Sequence, residues 1–596
     1  MPRDTFGERR TLMRERIIMP LLVIVAATLA AAMAASQSAP PTLPDIPNPK
    51  VVVEAPEIGK FGGTYIVSSI SDPRTFNPIV AQETSSTGVT GAIFEGLVEQ
   101  NYLTGEIEPG LAESWTTSPD GRTWTFTLRQ GVRWTDGTPL TMDDVLFSLE
   151  AVFTDGVQTS TVDLLTIEDK PIRWRKVDDR RIAFMTDKPV GTFLRLIGSL
   201  DIIPKHKLGD ALAKGGAEFN KTYGIDTPPR EIVGTGLFIL QSYVPGQRVT
   251  LLRNPNYWKV DRQGNRLPYL TRYVILIVPN LEAARLKFLA KETDLYSARA
   301  REFAEFKQGE QAGNYTIHDG PETFSSEFLV FNQNPTGVAP PKLTWFQDVR
   351  FRRALNYAID RKTIAEQVYA GRASPAWGPE STGNTLYYNP KLPQYPYDTG
   401  RAQQLLAEAG YQKGSEGLLR DAQGNIVEFI ISTNAGNTDR EAIGNIVRQD
   451  FTKLGIRVTF APEAFNTLVG KLTGTFKWEA VIIGLTGGIE PVTGRNVWLS
   501  SGSLHMWWPK QEKPATEWEV EIDRLFERAT AEINQNRRRQ LYFQYQEVVA
   551  TQVPMMFFTN PKTQPAVRNT LGNIKLGLQG VPGELETLYQ KTTSRP

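Results

Sequence analysis

Cysteine is absent from all 596 residues, and histidine occurs only three times. Without thiols there is no disulfide framework, no thiol nucleophile, no Cys-ligated zinc or iron–sulfur centre and no lipid-modified cysteine. His206, His318 and His505 lie far apart in the chain, so no local pair exists for a metal and imidazole acid–base chemistry has little material. An excess of charge is missing too, since 66 Lys and Arg against 65 Asp and Glu leave a net +1. That balance exerts no long-range pull on nucleic acid or acidic membranes. Forty per cent hydrophobic and 22% charged residues exclude global disorder and fit an ordinary globular chain long enough for several domains.

Catalytic motifs are missing as well. There is no G-x-x-x-x-G-K-[ST], H-E-x-x-H or G-x-S-x-G, and Gly234-Thr235-Gly236 lacks the third glycine of a dinucleotide fingerprint. Acidic neighbours such as Asp143-Asp144 and Asp178-Asp179 point apart on a helix or strand and make poor dyads. The reading is a protein with no cofactor, no metal and no enzymatic activity. Carboxylate pairs from distant positions obey no local spacing rule, so a secreted carboxylate-dependent hydrolase stays open as a remote alternative.

Long hydrophobic runs are confined to Ile17–Ala35, which carries no charge and fades from Ile, Leu and Val into Ala. Five arginines precede it, and Ala32-Met33-Ala34 has the small-x-small form of a cleavage site. A signal peptide over 1–35, a Pro-rich linker over 36–58 and export to a periplasm are expected. Uncleaved, the same run is long enough to anchor the chain in the inner membrane. Five arginines leaving with Asp4, Glu8 and Glu15 turn the net charge from +1 to −1.

Thr123–Leu128 alternates polar and apolar after the turn Ser118-Pro119-Asp120-Gly121, which predicts a half-buried hairpin strand. Thr141 and Asp144 form a capping box before a helix over about 142–153. A strand at 273–278, a helix from Asn280 to about Lys291 and a strand at 294–296 read as a βαβ unit in a parallel sheet. A second series follows: strand 426–433, helix 438–454, strand 456–460, helix 462–471 and strand 480–485. Three shorter helices lie between the two series, near 349–359, 361–371 and 401–409. Trp518, Ile522, Leu525, Phe526, Ala529 and Ile533 share a face of a later helix, a second helix covers about 537–551, and 553–558 is strand-like.

A set of ordered blocks carries a resemblance. Gly96-Leu97, Glu108-Pro109-Gly110-Leu111-Ala112-Glu113-Ser114-Trp115, Gly131-Val132-Arg133-Trp134 and Asp136-Gly137-Thr138-Pro139 come first. Arg253-Asn254-Pro255-Asn256-Tyr257-Trp258, Arg353-Ala354-Leu355-Asn356-Tyr357-Ala358-Ile359-Asp360 and Leu405-Leu406-Ala407-Glu408-Ala409-Gly410-Tyr411 follow. Together they resemble the large extracytoplasmic solute-binding proteins of ABC importers, the oligopeptide/dipeptide-binding family, over nearly all of the chain after the leader. The resemblance implies an α/β, periplasmic-binding-protein-like fold of two lobes joined by two hinge strands, with an extra α+β subdomain inserted in the first lobe. Lobe I would comprise 59–94, 226–315 and a C-terminal return over 554–596. The inserted subdomain would take 95–225 and lobe II 316–553, with hinges near 315–324 and 553–558. A monomer would capture solute between the lobes and deliver it to separate permease and ATPase subunits.

The family's peptide binders hold the ligand's α-ammonium on an acidic residue before a short turn ending in Pro. Here that stretch is Thr486-Gly487-Gly488-Ile489-Glu490-Pro491, with Gly487 at the acidic position and Glu490 as a substitute or a turn residue. An aromatic segment follows, with Asn496, Trp498, His505, Trp507 and Trp508 as candidates for the cleft and Trp518 assigned to a helix core. Ser69, Ile70 and Ser71 form the opposite edge. The leading ligand is a peptide or peptide-like solute. Gly487 and the tryptophans, whose faces suit sugar stacking, motivate an oligosaccharide or another non-peptide solute as the alternative.

Overall fold

The computed structural model describes residues 49–580 and 582–592. The expected leader lies outside the described residues. The expected linker is partly inside them, and its end is not free. Val51–Val52 pairs in parallel with Lys259–Val260, Ala55 is buried, and Asn573 binds both backbone groups of Glu57. The segment from about 51 therefore belongs to the folded body.

Hydrophobic alternation sets the hairpin as expected. Thr123–Leu128 buries Trp124, Phe126 and Leu128 on one face, and Trp124 stacks on Phe193 at 4.1 Å. It is a central strand of an antiparallel sheet with Ala112–Thr117, Arg181–Met185 and Arg173–Lys176. The helix Met142–Phe153 begins where the box predicts it, with the Thr141 N–H donating to Asp144 Oδ2 at 2.9 Å.

Two further sheets position the site. One is ordered Phe238–Val244, Arg248–Arg253, Arg272–Ile277, Thr64–Ser69, with its last pair parallel. The other is ordered Arg457–Glu463, Glu428–Asn434, Ala480–Leu485, Ser326–Phe331, Met555–Phe557. Its first three strands are parallel, as the second βαβ series predicts, and Ser326–Phe331 runs antiparallel to both its neighbours. The helix Thr438–Lys453 covers this sheet with Ile443, Val447 and Phe451, and its N-cap Asn437 accepts from the Arg440 N–H.

Four expectations change. The strand at 294–296 does not join the strand at 272–277. Lys291, at φ +62°, turns the chain, and Asp294 bonds Ile66 of the first sheet, donating its N–H to Ile66 O and accepting the Ile66 N–H at Oδ2, both at 2.7 Å. Leu295–Ser297 then forms a separate antiparallel sheet with Pro565–Arg568 and Tyr315–Ile317. Pro462 ends a strand rather than starting a helix, and the helix begins at Phe465. Ile533 lies beyond the helix Glu517–Ala531 and is 62% exposed. Finally, the chain crosses between the small sheet and the five-stranded sheet at 318–325 and again at 558–564. The expected boundaries at 316 and 554 fall early, because Tyr315–Ile317 still pairs in the small sheet and Met555–Phe557 still pairs in the large one. The two crossings bond to each other: Gly320 N–H to Thr563 O, Thr323 N–H to Pro561 O, and Thr563 N–H to Pro321 O, at 2.8–2.9 Å.

Candidate functional site

The crossings run beside a partly open cavity of about 530 Å³, within the usual range for small-molecule sites. Its walls are the carboxyl ends of strands and the turns that leave them. Ser69, Ile70 and Ser71 continue from Thr64–Ser69, and Ile483 to Gly488 lead out of Ala480–Leu485. Strand ends of α/β sheets are where backbone groups stay unpaired, which is why ligands collect there. Phe324 and Ser325 of the first crossing, the helix start at 82–85, Phe465–Thr473 and Asn496–Trp498 complete it.

Of the residues singled out from sequence, Ser69, Ile70, Ser71, Thr486, Gly487, Gly488, Asn496 and Trp498 line the cavity. Glu490 does not. Its buried carboxylate is held by Arg538 and by Arg195 Nε at 3.0 Å, so it is committed to the protein and is not a substitute receptor. Trp507 and His505 are also outside the lining, fully buried side by side with ring centres 3.9 Å apart. Trp507 Nε1 donates to Glu519 Oε1 at 2.9 Å, and His505 Nδ1 lies 2.9 Å from Val497 O. Trp508 and Trp518 are half-buried against the same core. Here the flat faces that suggested stacking are used for packing.

Glu519 carries a pH consequence. Burial pushes its carboxyl up, but hydrogen bonds involving His505, Trp507 and Gln511 outweigh that and hold it at about 2. A carboxyl depressed in the fold contributes stability above its unfolded pKa of about 4.3 and loses it as pH falls toward the folded value. Wild type is therefore expected to exceed Glu519→Gln in thermal midpoint at pH 6, with the gap closing between about pH 4.5 and pH 2. A gap independent of pH would overturn this assignment.

Gly487 has a steric reason. A Cβ there would stand 1.9 Å from the Phe324 carbonyl oxygen, so no acidic side chain fits at the position where the family resemblance expects one. The Gly487 carbonyl accepts from Gln579 Nε2 at 2.9 Å, which holds the turn in place.

The charged lining is Glu83, Glu327, Glu380 and Arg440. Arg440 Nε pairs with Glu327 Oε1 at 2.9 Å, and Tyr369 donates to the other oxygen at 2.8 Å. Glu83 accepts from the Ser86 hydroxyl, and Glu380 from the Tyr545 hydroxyl. Ser85 Oγ is buried without a partner. Glu380, Glu327, Arg440 and Ser85 were not legible in the sequence, where no motif marks them.

A cavity at strand ends beside two bonded crossings is a construction suited to holding a small solute. Residues 106–504 match the family model described as bacterial extracellular solute-binding proteins, family 5 middle. The chain belongs to that family, whose members serve ABC importers. It is 32% identical over 511 residues to a probable ABC transporter-binding protein of Deinococcus radiodurans, covering 81% of this chain and 84% of that one. The fold is similar to that of the oligopeptide-binding protein AppA of Bacillus subtilis in complex with a nonapeptide, with TM-score 0.76 and 24% identity over 89% of this chain and 99% of the other. It is also similar to the periplasmic binding protein MelB of Agrobacterium fabrum in complex with stachyose, with TM-score 0.79 and 20% identity over 89% and 85% of the two chains. Among the described residues no helix is long and apolar enough to cross a membrane.

Proposed function

We propose that the chain captures a peptide or peptide-like solute in this cavity and delivers it to the permease and ATPase subunits of an ABC importer. The observation that carries the ligand class is the pair of strand-end segments, 69–71 and 484–488, lining one cavity with a partnerless Ser85 hydroxyl beside them. Backbone groups at strand ends can bond a peptide main chain whatever its side chains. The peptide named in the AppA complex supports the same reading. The crossings at 318–325 and 558–564 act as hinges between lobe I and lobe II, with residues 95–225 as a subdomain of lobe I. The protein works as a monomer in the periplasm and turns nothing over. An oligosaccharide is the second reading, favoured by Trp498 in the lining and by the stachyose complex of MelB.

Calorimetry against pooled short peptides and against stachyose separates the two. Peptide binding with no stachyose signal is the expected result, and binding of stachyose alone overturns the peptide reading. Product formation from either class over days would overturn the non-enzymatic one.

A further inference from the structure

We propose that Glu380 is the anionic receptor of the cavity, taking a cationic group of the solute, an ammonium or a guanidinium. This rests on the cavity being the solute site and specifies the chemistry it selects.

The cavity is lined by three carboxylates and one guanidinium, with no Lys or His among its lining residues. Arg440 and Glu327 neutralise each other. Glu83 is tied into a local turn, since the Ser86 hydroxyl that donates to it also accepts from the Arg74 and Thr75 N–H groups. Glu380 differs. Its one hydrogen bond among the described residues comes from Tyr545, and no Lys, Arg or His there lies within ion-pair distance. Glu380 is half-buried in the cavity wall, and desolvation there lifts its carboxyl to about 7, with only the Tyr545 hydroxyl pulling it back. A carboxylate partly withdrawn from water without a cation carries a cost, and a solute bringing a cation offsets it.

The support around Glu380 is rigid. Tyr545 is fully buried, with its ring 4.8 Å from Phe526 and 5.6 Å from Trp498. Trp498 lines the same cavity and offers an aromatic wall next to the carboxylate's anchor. Gly487 excludes an acid from the turn after Leu485, so the negative charge enters from a different segment, Pro379-Glu380.

The test uses purified full chain and four probes: a pool of short lysine- and arginine-free peptides, the same pool N-acetylated, spermidine, and stachyose. Wild type should bind the free-amine pool or spermidine. Acetylation and Glu380→Gln should each weaken cation binding about 30-fold, and the Gln variant should no longer distinguish the two pools. Tyr545→Phe should weaken it less. Cation binding unchanged in Glu380→Gln, indifference to acetylation, or no binding of any cationic probe overturns the proposal. Spermidine bound through Glu380 with neither pool bound upholds the receptor and overturns the peptide reading instead. Should Glu380→Gln misfold by circular dichroism, the acetylated pair on wild type decides.

Discussion

Arg352→Met is expected to lower the unfolding free energy by about 4 kcal/mol, more than any surface substitution. Arg352 is 1% exposed and has no carboxylate partner among the described residues. Its guanidinium instead donates to four backbone carbonyls, Val553 O at 3.0 Å, Gln552 O at 3.0 Å, Phe346 O at 2.8 Å and Gln347 O at 2.8 Å, and to Gln333 Oε1 at 3.4 Å. These carbonyls sit at the ends of the helices Lys342–Gln347 and Gln535–Gln552, where the last C=O groups lack partners and carry partial negative charge. Val553 is held at φ +50°, a conformation a β-branched residue rarely adopts, just before the chain enters Met555–Phe557. Met fills the volume but satisfies none of these groups. Arg352→Lys should rescue little, because one ammonium cannot reach all four positions. Denaturant unfolding of the three proteins is the measurement. A Met variant within about 1 kcal/mol of wild type would show that these bonds are replaceable by water.

Gly487→Ala is expected to weaken solute binding about 100-fold while costing about 1–3 kcal/mol of stability. The added methyl meets the carbonyl oxygen and Cβ of Phe324, at 1.9 and 2.9 Å. Phe324 belongs to the first crossing and lines the cavity, so relief requires moving the crossing or the turn that holds the cavity edge. A backbone obstacle cannot rotate away as a side chain does. Gly487→Asp, which restores the acid found in the family's peptide binders, should be worse rather than better. Calorimetry with whichever probe wild type binds checks both, and an affinity within about threefold of wild type for the Ala variant would refute the steric argument.

Local pattern made much of the fold legible. Thr123–Leu128, Met142–Phe153 and Ala480–Leu485 match their expected spans because alternation, a capping box and an apolar run are properties of a few adjacent residues. Pro462 misled because Arg457–Glu463 is the edge strand of its sheet, where a missing N–H breaks no ladder. Leu295–Ser297 misled because its partner Pro565–Arg568 lies about 270 residues away and leaves no trace in the local sequence. The site divides in the same way. The turns at 69–71 and 486–488 could be found from their place after strands. Glu490 and Trp507 resembled ligand groups until Arg195, Arg538 and Glu519, distant or unremarked in sequence, were seen to occupy them. Glu380 gave no signal, since its meaning depends on the absence of a cation around it.

The bonded crossings are mechanically coupled. Because 318–325 and 558–564 are stitched to each other through Gly320, Thr323 and Thr563, neither can bend without the other. If the crossings serve as the proposed hinges, they would move as a coupled pair rather than as two independent joints. A pair of spectroscopic labels spanning the five-stranded and four-stranded sheets would then report bending of both crossings together.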